Sequence, residues 1–207
     1  MPKTEPFESN TKYYDDWFER NRDVYEIELE TVRQLMPDRF SSALEVGTGT
    51  GRFAGPLEIK TGVEPSTRMA ELARKRGIHV CQGVAENLPF PDGSFDLLLM
   101  VTTICFVDDL PLSLEEAWRV LVPGGHILIG FVDRESELGR EYRARRKESR
   151  FYREATFYSG DEIVESLHGA GFSNIESRQS IFPEEEKFRR VREGYGKGSF
   201  VVLRAST

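Results

Sequence analysis

Residues 44 to 51 read Leu-Glu-Val-Gly-Thr-Gly-Thr-Gly, and the alternate glycines are the residues whose type and spacing say most about chemistry. Glycine has no Cβ, so a backbone carrying several of them after an apolar strand can take unusual dihedrals and lie close against a ligand. The pattern predicts a cofactor beside Gly47, Gly49 and Gly51. Spacing sorts the candidates. A dinucleotide fingerprint, G-x-G-x-x-G, counted from Gly47 puts Arg52 where its third glycine belongs, and the Gly-Lys-Ser/Thr of a P-loop is absent. A nicotinamide oxidoreductase is disfavoured on that count. What remains is an acidic-x-G-x-G-x-G pattern with Glu45 in front.

Further segments follow in order. Lys60 to Glu64 reads as a short second strand ending in an acid, followed by Pro65 and Ser66. Gly83-Val84-Ala85-Glu86-Asn87-Leu88-Pro89-Phe90 leads to the turn Phe90 to Asp96 and the apolar run Leu97 to Val101. Trp118 to His126 carries a Pro-Gly-Gly turn. Together these segments, about residues 43 to 131, resemble the class I S-adenosylmethionine-dependent methyltransferases of the methyltransferase type 11 kind. Phe157-Tyr158-Ser159 through Ala170-Gly171-Phe172 extends the match toward the C-terminal third.

The resemblance implies S-adenosylmethionine as cofactor, with Glu45, Gly47, Thr48, Gly49 and Gly51 forming its loop. Glu64 then faces the ribose, since an ionised carboxylate is acceptor-only and its two oxygens can take both hydroxyls, with Pro65 and Ser66 beside it. Ala85 and Glu86 fall on the adenine side, where Val84 stands in place of the Asp that relatives carry.

The elements needed to position these residues are legible independently. Strand-like and helix-like stretches alternate, which predicts an α/β fold, Rossmann-like, with a mostly parallel sheet and helices on both faces. The count is seven strands, the last pair antiparallel, with Leu97 to Val101 in the middle because an unbroken apolar run suits a strand covered on both faces. Met69, Leu72 and Ala73 mark a helix opened by Ser66 and closed near Gly77; Leu114, Ala117, Trp118 and Leu121 mark the stripe of another. Ser159 and Glu162 form a capping box ahead of Ile163, Val164, Leu167 and Ala170. Gly55-Pro56 limits the helix after the glycine loop to one or two turns, because proline in a helix interior costs roughly 3 kcal/mol. Residues 1–40 are expected to be an N-terminal helical lid within the same domain as residues 41–207, which carry the cofactor motifs.

With 207 residues, net charge −7 and 39% hydrophobic content, the chain is expected to be one soluble domain without a membrane span. Its Met-Pro-Lys-Thr-Glu start has no apolar leader, and Cys81 and Cys105 offer neither a disulfide framework nor metal spacing, so the cytoplasm is the expected compartment and no metal is assigned. The acidic balance disfavours nucleic acid as partner.

A small-molecule acceptor is the expected partner. Tyr14, Trp17 and Phe18, within a Tyr-Asp-x-Trp-like start, are candidates for its pocket; Tyr25, Leu29, Val32 and Met36 read as core. Thr102, Thr103 and Cys105 follow the central strand, where ligands gather in such folds. The run Gly139 to Arg153 interleaves seven cations with Tyr142, Phe151 and Tyr152, and reads as a solvated helix with Glu141 and Arg145 at i, i+4, or as a clamp for an acidic substrate. Transfer of a methyl group to N, O or C is an in-line displacement that needs no covalent enzyme intermediate, and no residue announces itself as a general base. A non-catalytic S-adenosylmethionine-binding protein is the alternative reading; oligomeric state is not encoded in any motif.

Overall fold

The computed structural model describes residues 3–183 and 190–207. In chain order it contains α1 (Glu5–Arg20), α2 (Arg22–Arg33), β1 (Ala43–Val46), β2 (Thr61–Val63), α3 (Thr67–Lys75), β3 (His79–Cys81), β4 (Phe95–Val101), α4 (Leu110–Val120), β5 (Leu121–Val132), α5 (Glu137–Ala144), α6 (Gly160–Gly169), β6 (Ser173–Ser180), β7 (Arg192–Glu193) and β8 (Phe200–Ser206). Two 3-10 turns, Arg146–Glu148 and Tyr152–Glu154, separate α5 from α6.

The sheet order is β3-β2-β1-β4-β5-β8-β6-β7. Strands β1 to β5 pair in parallel, and β8 is antiparallel to both β5 and β6. β4 lies between β1 and β5 with Leu97 to Val101 all buried, as its apolar run predicts. Eight strands replace the expected seven: Arg192–Glu193 adds a two-residue rung on Arg178 and Gln179 of β6. Both of its residues are exposed, so no apolar alternation marks it in the sequence. Strand order reverses direction between β1 and β4, which opens a crevice at the carboxyl ends of those strands, the place where ligands bind in open α/β sheets.

Helices cover both faces. On one, α4 and α6 bury Leu114, Ala117, Ile163 and Leu167 against β1, β4 and β5. The Ser159 hydroxyl accepts from the Glu162 amide at 3.3 Å while the Glu162 carboxylate accepts from the Ser159 amide at 2.8 Å, the capping box that opens α6. Trp118 departs from its expected stripe: it is 47% exposed, its indole lying beside Gly171, and Leu121 has left the helix for β5. On the other face, Ile27, Leu29 and Val32 of α2 pack with Phe53, Leu57 and Ile59. The Thr31 and Ser180 hydroxyls, 2.8 Å apart and buried, tie α2 to β6. Met36 lies beyond the end of α2, partly buried against the same core.

The short helix expected after the glycine loop does not form. Residues 51–59 instead make a run of turns, with Gly55 N–H donating to Gly51 O at 3.2 Å and Leu57 N–H to Phe53 O at 3.2 Å. Pro56 has no N–H to add, so the bonds never become consecutive. Among the described residues no helix is long and apolar enough to cross a membrane.

Candidate functional site

The glycine loop leaves β1 by pairing with the end of β2: Gly47 and Thr48 donate to Val63 O at 2.8 and 3.0 Å. All three glycines have left-handed φ, +71°, +55° and +83°, where a Cβ is strained. Their surroundings differ. A Cβ on Gly47 would stand 2.4 Å from Thr103 Cγ2, and one on Gly51 would stand 2.4 Å from Ile78 Cδ1. A Cβ on Gly49 would meet nothing nearer than the Tyr14 hydroxyl at 3.6 Å. Gly47 and Gly51 therefore allow the loop to pack on the protein, whereas a Cβ on Gly49 would make ordinary contacts with Tyr14 and Met69 on the cavity wall.

Glu64, at the end of β2, organises this loop. One carboxylate oxygen accepts the Gly49 amide at 2.8 Å and the other accepts the Ser66 amide at 2.8 Å. Burial pushes its pKa up to about 7, against the pull of those two N–H groups. Ser66 in turn caps α3, its hydroxyl accepting the Met69 amide at 3.3 Å.

A cavity of about 1050 Å³ opens over the loop. Gly47, Gly49, Glu64, Pro65, Ala85 and Glu86 lie on its wall, as do Tyr14, Trp17, Phe18, Thr102 and Thr103. Four residues of the expected cofactor set lie behind the wall. Glu45 is buried and accepts the Ala54 amide at 3.0 Å, the Thr48 hydroxyl donates to Glu45 O at 2.8 Å, Gly51 packs on α3, and Ser66 is sealed in its cap. The Glu86 carboxylate is engaged with the Asp108 and Asp109 amides, at 2.6 and 3.2 Å, and so ties the adenine-side segment to the start of α4. Cys105 borders a separate small space with Tyr152, Phe157 and Tyr158; its thiol donates to Thr102 O at 3.3 Å, and burial pushes its pKa up to about 12. A thiol so held is a poor nucleophile. Thr102 adopts φ +51° at the end of β4 and donates its amide to Gly130 O at 2.7 Å. The Thr103 hydroxyl turns back to Val46 O and Val101 O, both at 3.1 Å.

Aromatic rings roof the cavity. Phe7 contacts Tyr14, Phe106 and Phe151 with ring centroids 5.8, 4.9 and 5.3 Å apart, and Tyr152 links Phe106 to Tyr142. The run Gly139 to Arg153 is thus neither a plain solvated helix nor a cluster of cations over the site. It carries the expected Glu141–Arg145 pair at 3.0 Å, with Glu141 also on the cavity wall, its rings turn inward, and of its cations only Arg150 reaches the wall, stacked over Tyr13. Phe7 and Phe106 carried no signal of this role in the sequence; Tyr142, Phe151 and Tyr152 did, as rings spaced within a charged run.

The lid is fastened by Asp15. Its carboxylate accepts from Arg52 Nε and Nη2, each at 2.9 Å, and from Arg76 Nη2 at 2.8 Å. Burial raises its pKa, but the hydrogen bonds from Arg52 and Arg76 outweigh this and hold the carboxyl well below the usual range. Arg52, the residue that breaks the dinucleotide spacing, is therefore the anchor of α1. Asp15→Asn should destabilise the protein by about 1–3 kcal/mol and speed hydrogen exchange along α1. Thermal unfolding with site-resolved exchange checks this; unaltered exchange in α1 would show that the lid is held by its rings alone.

One buried carboxylate on the wall escaped the sequence reading. Glu28 of α2 is 8% exposed and lines the cavity on the face it shares with Asn21 and Val24. Burial alone pushes its pKa up to about 8. It lies in an amphipathic helix where an acid reads as surface.

Comparison with known proteins agrees with this geometry. The methyltransferase domain family matches residues 44–129. An uncharacterized protein of Methanocaldococcus jannaschii is 43% identical over 201 residues, 96% of this chain and 97% of its own. The O-methyltransferase rstn1 of Aspergillus nomiae is 30% identical over 184 residues, 79% of this chain and 80% of its own. A crystal structure from Thermotoga maritima, named as a SAM-dependent methyltransferase and possible histamine N-methyltransferase, superposes with a TM-score of 0.94 at 49% identity, covering 98% of this chain and 99% of its own. The chain belongs to the class I S-adenosylmethionine-dependent methyltransferases.

Proposed function

We propose that the cavity holds S-adenosylmethionine along the glycine loop and a small-molecule acceptor under the aromatic roof, and that the protein transfers a methyl group to an N, O or C atom of that acceptor by in-line displacement. The observation that carries this reading is one continuous wall. Gly49 and the Glu64 carboxylate share it with the rings of Tyr14, Trp17 and Phe18, and the Tyr14 hydroxyl would stand 3.6 Å from a Cβ on Gly49. The residues fit the cofactor: each Glu64 oxygen has accepted one amide and keeps a lone pair for a ribose hydroxyl. The Ala85 and Glu86 amides make no hydrogen bond to a described residue, which leaves them free to donate to a ring nitrogen of the adenine. Glu45, Thr48, Gly51 and Ser66 act from behind, by holding the loop and α3 in place.

When bound, S-adenosylmethionine supplies an electrophilic methyl carbon on a cationic sulfur. The chain's share is orientation and exclusion of water. Holding two reactants in line lowers a barrier by ~7–11 kcal/mol in well-oriented systems, and the ring faces of the roof favour a nearby cation by ~0.5–2 kcal/mol. Thr102 and Thr103 close the floor between cofactor and acceptor. Residues 1–40, read as a cap of the same domain as 41–207, admit the acceptor when α1 lifts from Asp15's anchors.

Calorimetry with S-adenosylmethionine, S-adenosylhomocysteine and NAD tests the cofactor directly. One-to-one binding of the first two and none of NAD is expected. Preference for NAD, or no binding of either methyl-cycle ligand, would overturn the reading; methyl turnover with any acceptor separates an enzyme from a binding protein.

A further inference from the structure

We propose that Glu28 is an acceptor anchor: it receives the ammonium group of an amine whose apolar or aromatic body lies under the ring roof. The proposal rests on the cavity being the methyl-transfer site and adds the chemical class of the acceptor.

Glu28 is the exception among the buried carboxylates of the described residues. Glu45 accepts the Ala54 amide, Glu64 accepts the Gly49 and Ser66 amides, and Asp133 accepts the Glu135 amide. Each has a backbone partner that repays part of its burial. Glu28, more than nine-tenths buried, has no hydrogen bond or ion pair to any described residue, and it lines the cavity. A buried acid without a partner costs free energy that a leucine or methionine of similar bulk would not cost. Its neighbours Asn21 and Val24 on the same helix face show that the wall could have been closed with uncharged side chains.

Two features of the surroundings select a cation as the missing partner. Tyr14, Tyr142 and Tyr152 line the same cavity as Glu28, and after burial its charge is among the causes that raise the pKa of each of their hydroxyls, so the three phenols lie within electrostatic reach of the carboxylate. A cavity lined by aromatic rings favours an ammonium group over an anion. The charged residues on the cavity wall are also acidic, apart from Lys3 and Arg150. Lys3 is spent on Val107 O at 3.2 Å and Arg150 lies over Tyr13, so neither neutralises Glu28. A carboxylate acceptor would meet an acidic wall. A neutral alcohol supplies no charge to favour the ionised form of Glu28, which burial disfavours. An ammonium supplies the charge and the N–H donors together.

Three probes that share a phenethyl body test this by calorimetry, with and without saturating S-adenosylhomocysteine: phenethylamine, the neutral 2-phenylethanol and the anionic 3-phenylpropanoate. The native protein should bind phenethylamine at least about tenfold more tightly than 2-phenylethanol, and 3-phenylpropanoate should not bind. Glu28→Gln, which keeps the shape and removes the charge, should erase that preference while leaving S-adenosylhomocysteine affinity within about twofold. It should also unfold at an equal or higher temperature at pH 8, which shows that a lost preference is not lost folding. Equal binding of amine and alcohol, absence of amine binding, or a preference that survives Glu28→Gln would overturn the proposal. Failure of S-adenosylhomocysteine to bind the native protein would overturn the methyl-transfer reading instead, and the arm without it still reads the amine preference at Glu28.

Discussion

Replacing Glu64 with alanine is expected to weaken S-adenosylmethionine binding by about 100-fold or more, because it removes charge-assisted hydrogen bonds worth about 1.5–3 kcal/mol each. The carboxylate does two things at once. It accepts the amides of Gly49 and Ser66, both at 2.8 Å, and so sets the distance between the glycine loop and α3. Its remaining lone pairs are the acceptors assigned to the ribose. Alanine would leave two buried N–H groups without a partner and the hydroxyls without an acceptor. Glu64→Gln separates the two roles: the amide oxygen can satisfy one N–H, but its NH₂ must face the other, so the loop is distorted less while the ribose loses a charge. Calorimetry on both variants checks this, and unaltered affinity in Glu64→Ala would remove Glu64 from the cofactor site.

The same residue makes the affinity depend on pH with a definite sign. Its pKa of about 7 in the free protein lies above the ordinary carboxylate value. Ribose hydroxyls donate to the ionised form, so cofactor affinity should rise with pH through 7 and level off above it, with proton release on binding near pH 6.5. Titrations in two buffers of different ionisation heat measure that release. For stability the sign is opposite. Glu28 and Glu64 both have raised pKa values when folded, so their contribution is full below the ordinary carboxylate range and is lost as pH rises through about 8 and about 7 respectively. The ligand-free protein should therefore melt lower at pH 9 than at pH 6 on their account, and Glu28→Gln should flatten that slope.

The second large effect is a contrast between two glycines. Gly49→Val should fold and bind no measurable cofactor, whereas Gly47→Val should fail to fold or lose several kcal/mol. Both positions have left-handed φ, which costs a non-glycine residue about 1–3 kcal/mol. At Gly49 a Cβ would already touch the Tyr14 hydroxyl at 3.6 Å and Met69 Cε at 3.8 Å, so the two methyl groups of valine must crowd this part of the cavity wall, the place assigned to the ligand. At Gly47 the Cβ would lie 2.4 Å from both Thr103 Cγ2 and Oγ1, and that threonine is held to Val46 O and Val101 O, so the crossing of loop and β4 must open. Circular dichroism melts paired with calorimetry check both. Retained binding in Gly49→Val would mean that the cofactor does not pass that face of the loop.

Much of the architecture was legible because it rests on local signals. The glycine spacing, the acid ending β2, the apolar run of β4 and the Ser159–Glu162 box each depend on residues close in sequence, and a period or a cap needs nothing more. The expected short helix at Gly55-Pro56 failed for a related reason. A proline limits a helix locally, but whether a turn or a helix remains is decided by packing, here of Phe53, Leu57 and Ile59 beneath α2. The two-residue β7 is invisible because only its partner β6 defines it.

The sequence by itself determined the family, the class of fold and which loop and acid face one another, since short-range spacing encodes strand, turn and helix start. Only the tertiary structure decided which of those residues reach the cavity and which support it from behind. It also brought Phe7, Phe106 and Phe151 into one roof and joined Arg52 and Arg76 on Asp15. Above all it placed Glu28, an ordinary acid in an amphipathic helix, without a partner among the described residues inside an acidic, ring-lined space. Burial and the absence of a partner are properties of contacts between segments far apart in the chain, and no local pattern carries them.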